Sequence, residues 1–433
     1  MGLLGEGCIQ RIPVGQGHRP NPRDLQEDSR RMTEASRPRL LVAKGSFDSM
    51  GGGERDLIRV LPAINRLFEV TMATIQPSPE LEEVCSENGI ALIHPESKWE
   101  LSTDPISVVL DSGRGTASKA WASCSGLDDA MASAMAIHLV SGDGSLPILD
   151  HVPPGLRVHL HLLEPHRGLY EEILHRRVDG SPRRNLALTK VALSRARRRD
   201  QSLMMSLMSR QGAIVSCNSI FSTQRAHEVY GIEAGVLWPC VDIEEFPEDS
   251  SKDPENPYPE NDEYVVSVGR ASYAKGTWET ISMLSGTGLS LAHVGGGDEP
   301  SLEMLRTHAG TCGVGLWVAP RLPSPELVSL MRGARAIVSM AHKESFGLNP
   351  IESFAVGAPP LFVDEGGFRD TIVDGENGRL LDREDIASWH SALEQASDSN
   401  TREGWATRGR ERISELDLTP DAHARRIWDL LCG

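Results

Sequence analysis

Two glutamates, Glu344 and Glu352, are separated by seven residues in the segment HKESFGLNPIESFAVGAPP, residues 342–360. Asn349 followed by Pro350 reads as an N-cap and first helical residue, since proline lacks an N–H that would go unsatisfied there anyway. Glu344 then falls in the loop before the helix and Glu352 inside it. A carboxylate, a turn of exposed backbone N–H groups, a helix dipole and a second carboxylate follow one another. That order suits a ligand with hydroxyls at both ends and an anionic middle, the description of a sugar nucleotide. A capped helix with two solvated glutamates is the competing reading.

A second segment, SVGRASYAKG at 267–276, places Arg270 and Lys275 at the carboxyl end of a predicted strand. Two cations converging there could neutralise a diphosphate and hold the charge that grows as a sugar–phosphate bond breaks. A loop with two exposed bases is the alternative. A third, KGSFDSMGGGERDL at 44–57, follows the first strand and opens the first helix. Gly51, Gly52 and Gly53 would let backbone approach a phosphate closely, or would simply form a flexible turn. The pattern is not G-x-G-x-x-G, and no acidic residue stands about twenty positions on at a strand end, which argues against a nicotinamide site.

The elements that must carry these residues are short apolar β-type runs alternating with longer helical stretches. They read LLVA at 40–43, VTMATI at 70–75, SVVL at 107–110, VHLHLL at 158–163 and AIVS at 213–216. A second series has YVVSV at 264–268, LSLAHV at 289–294, LWVA at 316–319, AIVS at 336–339 and LFV at 361–363. Each series predicts a doubly wound parallel sheet. Between them EEFPEDSSKDPENPYPENDE, 244–263, is dense in Pro, Asp, Glu and Ser and is expected to be a linker unable to bury apolar surface. The division is thus a polar, disordered tail over 1–38, a first Rossmann-like domain over 39–245, a linker over 246–262, a second such domain over 263–405 and a C-terminal helix over 406–433 that returns to the first domain. Two such α/β units facing across a cleft would bind a ligand between the carboxyl ends of their sheets.

The 433 residues carry 44 Lys plus Arg against 61 Asp plus Glu, a formal charge of −17, which argues against a nucleic-acid partner. Seven scattered cysteines without a CxxC pair indicate neither a zinc site nor a disulfide framework and fit a reducing cytosol. The first 38 residues lack an apolar h-region, so they are not read as a secretory signal, and Met32 is an alternative start. No stretch reads as a transmembrane helix.

In order and spacing the three segments resemble the retaining glycosyltransferases of the GT-B fold, family 4, which carry an E-x7-E element. The resemblance covers roughly 39–425 and includes CNSIFS at 217–222, LWPCVDIEEF at 237–246, HVGGGDE at 293–299 and DEGGFRDTIVDGENGRLL at 364–381. It implies transfer of a hexose from a nucleotide diphosphate sugar to an acceptor hydroxyl, with no metal and no cofactor beyond that co-substrate. It also implies that Glu352 holds the ribose hydroxyls, that Glu344 faces the donor sugar and that Arg270 and Lys275 clamp the diphosphate. Backbone near Phe346, Gly347 and Leu348 and the turn at Gly51, Gly52 and Gly53 would assist, and Arg321 would contact the base. Asp370 replaces the glutamate usual after Gly-Gly, with an altered hydrogen bond expected near the donor.

The segment VHLHLLEPHRGLYEE, 158–172, resembles the family's acceptor side, which makes Arg167 a substrate-binding residue and His161 a catalytic candidate. Leu163 stands where a polar residue is usual, and histidines on a strand are often structural. The Glu-Pro-His-Arg run points toward a glycan or lipid-linked acceptor at the cytoplasmic face of the membrane. Residues 183–199, RRNLALTKVALSRARRR, hold seven basic residues and no acid. They are either a peripheral patch for anionic lipid or a lipid-phosphate acceptor, or a solvated helix packed through Leu186, Leu193, Met204 and Leu207 whose arginines are paired by acids from elsewhere. A nucleotide-sugar epimerase of the same fold and a non-catalytic nucleotide-sugar-binding protein are the competing functions.

Overall fold

The computed structural model describes residues 37–48, 50–97, 99–100, 112–241, 243–246 and 253–433. The strand expected at 107–110 and nearly all of the tail expected over 1–38 lie outside the described residues. From Arg39 to Gly433 the chain forms one compact unit.

Among the described residues the first lobe is built on seven strands, β1 (Arg39–Ala43), β2 (Glu69–Ala73), β3 (Ala91–Ile93), β4 (Ala136–Val140), β5 (Arg157–His161), β6 (Ile214–Cys217) and β7 (Gly235–Val236). Their order is β3-β2-β1-β4-β5-β6-β7, parallel throughout. Its helices include α1 (Gly52–Leu67), α2 (Leu186–Ala192), α3 (Ser194–Met208) and α4 (Ile220–Tyr230). Alternate residues of β1 show why the strand is buried on both faces. Leu41 and Ala43 join one apolar layer with Ile137, Leu139 and Leu160, while Leu40 and Val42 join another with Leu57, Leu61 and Ile64 of α1. Parallel sheets with both faces covered read as continuous apolar runs, which is how LLVA reads.

The second lobe has six parallel strands, β8 (Tyr264–Val268), β9 (Ser290–Val294), β10 (Leu316–Ala319), β11 (Ile337–Ser339), β12 (Pro360–Val363) and β13 (Arg379–Leu381). Their order is β10-β9-β8-β11-β12-β13. The second lobe has its own apolar core, which includes Phe354 and Phe362. The last part of the linker is not fully solvated, contrary to expectation. Tyr258 is buried, its ring 4.1 Å from that of Tyr264, and its hydroxyl donates to Asp262 at 2.8 Å.

After α5 (Asn349–Val356), the chain ends in two helices, α6 (Ser399–Leu416) and α7 (Pro420–Cys432), where the sequence suggested one from 406. The break falls at Asp417, whose φ of +45° is left-handed, and Thr419 caps α7 by accepting from Ala422 N–H. α7 crosses to the first lobe. Ala424, Ile427 and Leu431 join the apolar layer of α1, the Trp428 ring lies 5.1 Å from Phe68, and Arg157 donates to the Leu431 carbonyl at 2.8 Å.

Candidate active site

A cavity of about 900 Å³ lies where loops at the carboxyl ends of β1, β8, β9 and β10 come together. The first lobe contributes Gly51, Gly52, Arg55, Arg59 and Glu245, and the second contributes Arg270, Arg321, Leu348 and Glu352. Gly51 caps α1 without a side-chain bond, so the orphan N–H groups and positive dipole end of that helix start at the cavity wall.

Four guanidiniums face two carboxylates here. Arg59 donates to Glu245 at 2.7 Å. Burial, with Arg321 and Arg59 as like-charged neighbours, lowers the Arg55 guanidinium below its ordinary range. Arg55 Nε is buried without a hydrogen-bond partner among the described residues, and so is Glu352 Oε2. Burial pushes the Glu352 carboxyl up to about 7, against the pull of Arg59 and Arg55. An unsatisfied donor and an unsatisfied acceptor thus line one electropositive hollow. Such groups cost about 1–3 kcal/mol each until a ligand satisfies them. Arg55 and Arg59, one helical turn apart, were not read as site residues from sequence, although their spacing after the glycine turn puts them on one face.

The helix holding Glu352 starts one residue earlier than expected. Leu348 is its N-cap without a side-chain bond, and Asn349 instead donates from Nδ2 to the Val268 carbonyl at 3.0 Å. That bond ties α5 to the end of β8, two residues before Arg270. Phe346 is buried against Trp238, with ring centroids 5.7 Å apart, so of Phe346, Gly347 and Leu348 only the last lines the cavity. Gly347 has φ +81°, and a Cβ there would lie 2.5 Å from Phe368 Cε1.

Lys275 and Glu344 meet directly, Nζ donating to Oε2 at 2.7 Å. Burial pushes the Glu344 carboxyl up, but Lys275 and Arg167 outweigh it and hold it below the ordinary range. The Lys275 stem passes 3.4 Å from the Cβ position of Gly269, which lines the cavity. The Glu344 loop is held from the first lobe. Ser219 Oγ donates to the Ser345 carbonyl and Asn218 Nδ2 reaches Ser345 Oγ at 3.4 Å, while within the second lobe the Gly367 N–H donates to the Glu344 carbonyl at 2.7 Å. Asp370 serves this lobe contact and not the donor pocket: its Oδ2 accepts the Ile220 N–H at the start of α4 at 2.8 Å.

A second cavity of about 370 Å³ belongs to the first lobe, with Lys44, Gly53, Glu54, Asp143, Leu163, Glu164 and Arg167 among its lining. Gly53 therefore parts from Gly51 and Gly52. It faces Leu163, whose Cδ1 would lie 2.4 Å from an added Cβ. Lys44 is fully buried, donating to the Ser141 carbonyl at 2.9 Å and pairing with Glu54 at 3.0 Å. Arg167 donates to Glu171 at 2.9 Å and, across the lobes, to the His342 carbonyl at 2.8 Å. Glu164 lies 3.7 Å from Arg167. Burial raises its carboxyl to about 7, with Arg167 opposing and Glu344 adding. Glu164 was also missed as a site residue, its only signal being its place in the Glu-Pro run.

His161 lines neither cavity. It is 1% exposed, its ring 6.1 Å from His138 and 5.8 Å from His423 of α7, and burial drives its pKa well below the ordinary value. His159 faces the same way, bonded to His138 at 2.9 Å and to Ser216 at 2.6 Å. The two histidines share a strand face as their spacing predicts, but α7 covers that face, so a direct contact of His161 with a sugar is not what this geometry offers.

Residues 248–412 match the family model Glycosyl transferases group 1. A D-inositol 3-phosphate glycosyltransferase of Acidothermus cellulolyticus is 35% identical over 130 residues, 29% of this chain and 27% of that protein. The aligned part thus spans about a quarter of that relative's length. Among solved structures, sucrose-phosphate synthase of Thermosynechococcus elongatus superposes with a TM-score of 0.68 at 16% identity, over 91% of this chain and 98% of that one. HepE of Anabaena in complex with UDP and glucose gives 0.64 at 13%, over 91% and 99%. The chain has the fold of the GT-B glycosyltransferases, and its residues 248–412 match the model of the group 1 glycosyl transferases.

Proposed function

We propose that this chain transfers a hexose from a nucleotide diphosphate sugar to a hydroxyl of a glycan or lipid-linked glycan, with retention at the anomeric carbon. One observation carries the reading. The larger cavity pairs an unsatisfied buried arginine donor with an unsatisfied buried carboxylate inside a ring of guanidiniums, which is the demand of a ligand with an anionic middle and a hydroxyl-bearing end. The similar proteins support it, one a D-inositol 3-phosphate glycosyltransferase and one a structure in complex with UDP and glucose.

In this scheme Glu352 accepts the ribose hydroxyls, Arg321 lies toward the base, and Arg55 and Arg270 hold the diphosphate with the α1 N-terminus. Lys275 shares its charge between Glu344 and the leaving phosphate, and Glu344 orients the donor sugar. The anomeric C–O bond to phosphate breaks, the acceptor oxygen attacks from the same face, and its proton passes to the departing diphosphate. The preorganised cations stabilise the growing charge without a metal or a further cofactor. The second cavity, lined in part by Glu164 and Arg167, would serve as an acceptor subsite and so favours transfer over epimerisation, because an epimerase needs none.

The test is incubation with a panel of nucleotide sugars, with and without glycan acceptors, followed by proton NMR of the product. Nucleotide release that depends on acceptor and an unchanged anomeric configuration support the proposal. Isomerised donor sugar without acceptor would establish the epimerase instead, and binding without consumption the non-catalytic reading.

A further inference from the structure

Every residue of α2 is at least partly exposed, and Leu188, Val191 and, on α3, Met205 are 69%, 70% and 70% exposed. These are the three most exposed large apolar side chains among the described residues. α3 is nonetheless firmly seated, because Leu193, Ala196, Met204 and Leu207 are buried on its other side. The outward apolar side chains are therefore not left over from a poorly packed helix. Leu193, between the two helices, keeps helical angles (φ −79°, ψ −3°), so Leu188, Val191, Arg195, Arg198, Ser202 and Met205 follow one another at three- and four-residue steps along one side.

Four exposed bases here lack a carboxylate partner. Arg184, Lys190, Arg195 and Arg198 are exposed, and none has a carboxylate within 4 Å among the described residues. Arg197 is turned inward onto the carbonyls of Leu169 and Lys190. Asp200, the one acid of α3, is withdrawn from the surface and accepts the hydroxyls of Tyr170 and Tyr230, both at 2.7 Å. Glu172, at the margin, is 3.7 Å from Arg176. A chain of charge −17 thus carries a cationic strip studded with the most exposed large apolar side chains among the described residues. No helix among the described residues is long and apolar enough to cross a membrane.

We propose that the α2–α3 face docks on an anionic lipid bilayer as a peripheral contact. Neither signal suffices alone: a few partly buried side chains hold weakly, and a chain this acidic is repelled by an anionic surface except through such a strip. The docking stands independently of the transfer reaction.

The test is co-sedimentation of the full chain with phosphatidylcholine vesicles and with equimolar phosphatidylcholine–phosphatidylglycerol vesicles. Binding is expected only to the anionic vesicles and is expected to be released by 0.5 M NaCl. R195E/R198E should weaken it at least tenfold. L188S/V191S should weaken it severalfold while leaving the salt dependence in place. Melting curves check that both variants remain folded, as the exposure of all four side chains predicts. Failure of the wild type to bind, or undiminished binding by R195E/R198E, overturns the proposal. So does a salt-sensitive dimer in light scattering without vesicle binding, which would assign the face to a second copy.

Discussion

Replacing Glu352 by glutamine should make the unliganded protein harder to melt in alkali while weakening its hold on a nucleotide. The carboxyl is raised from an ordinary 4.5 to about 7 in the folded chain. For an acid so raised, folding favours the protonated form. Its contribution is therefore neutral below 4.5 and becomes a growing penalty as pH rises through 7, where it levels off. At 1.36 kcal/mol per unit, the penalty is about 1 kcal/mol at pH 5.5 and about 3 kcal/mol at pH 8.5. Glutamine does not titrate, so the gain of Glu352→Gln over wild type should grow by about 2 kcal/mol between those pH values, a shift on the order of a few degrees. Paired thermal melts at the two pH values read this difference. Calorimetry with a nucleoside diphosphate should show the reverse, with affinity falling at least tenfold at pH 8.5 because a charge-assisted bond to the ribose is lost. A stability gain that does not depend on pH would show that Glu352 is not held protonated by its site. Unchanged affinity would remove it from the nucleotide's contacts.

Lys275→Ala should lower kcat by roughly 10²–10³, the loss of about 2.7–4 kcal/mol of preorganised charge, and stopped assays with saturating donor would expose full turnover if Lys275 is dispensable. Gly347→Ala should lower both melting temperature and activity, since the left-handed φ and the Phe368 contact leave no room for a methyl; a variant with wild-type melting and rate would contradict that geometry. Asp370→Ala should cost about 1–3 kcal/mol by orphaning the Ile220 N–H, and should loosen the Glu344 loop enough to raise the donor KM. His161→Leu should keep kcat within a few-fold of wild type in the folded fraction, and a loss beyond a hundredfold at normal secondary structure would return His161 to the reaction.

The strands that position the site could be read because each is a continuous apolar run, and the loops bearing Arg270, Lys275 and Glu344 follow such runs directly. β4 escaped notice although it lies at the centre of its sheet. One of its faces carries His138 in a histidine ladder, so Ala-Ile-His-Leu-Val lacks the uniform signal that marks β1. The same ladder explains His161: its place in the acceptor-side segment made it a candidate, but a helix more than 250 residues later in sequence covers that strand face. Distance along the chain also hid Asp370, whose partner is the backbone of Ile220. Arg55 and Arg59 were legible in principle, one turn apart behind the glycines, but nothing local distinguishes a cavity-facing arginine from a solvated one. Glu352 was placed by its motif, whereas its raised carboxyl depends on burial that no motif encodes.

The return of α7 means that the first lobe is finished last. Leu40, Val42 and Leu61 share their layer with Ile427 and Leu431, so during synthesis the amino-terminal half waits with an open seam until residues 420–432 have left the ribosome. A nascent chain stalled before that point would present a sticky, half-sealed sheet to chaperones, however complete its own seven strands are.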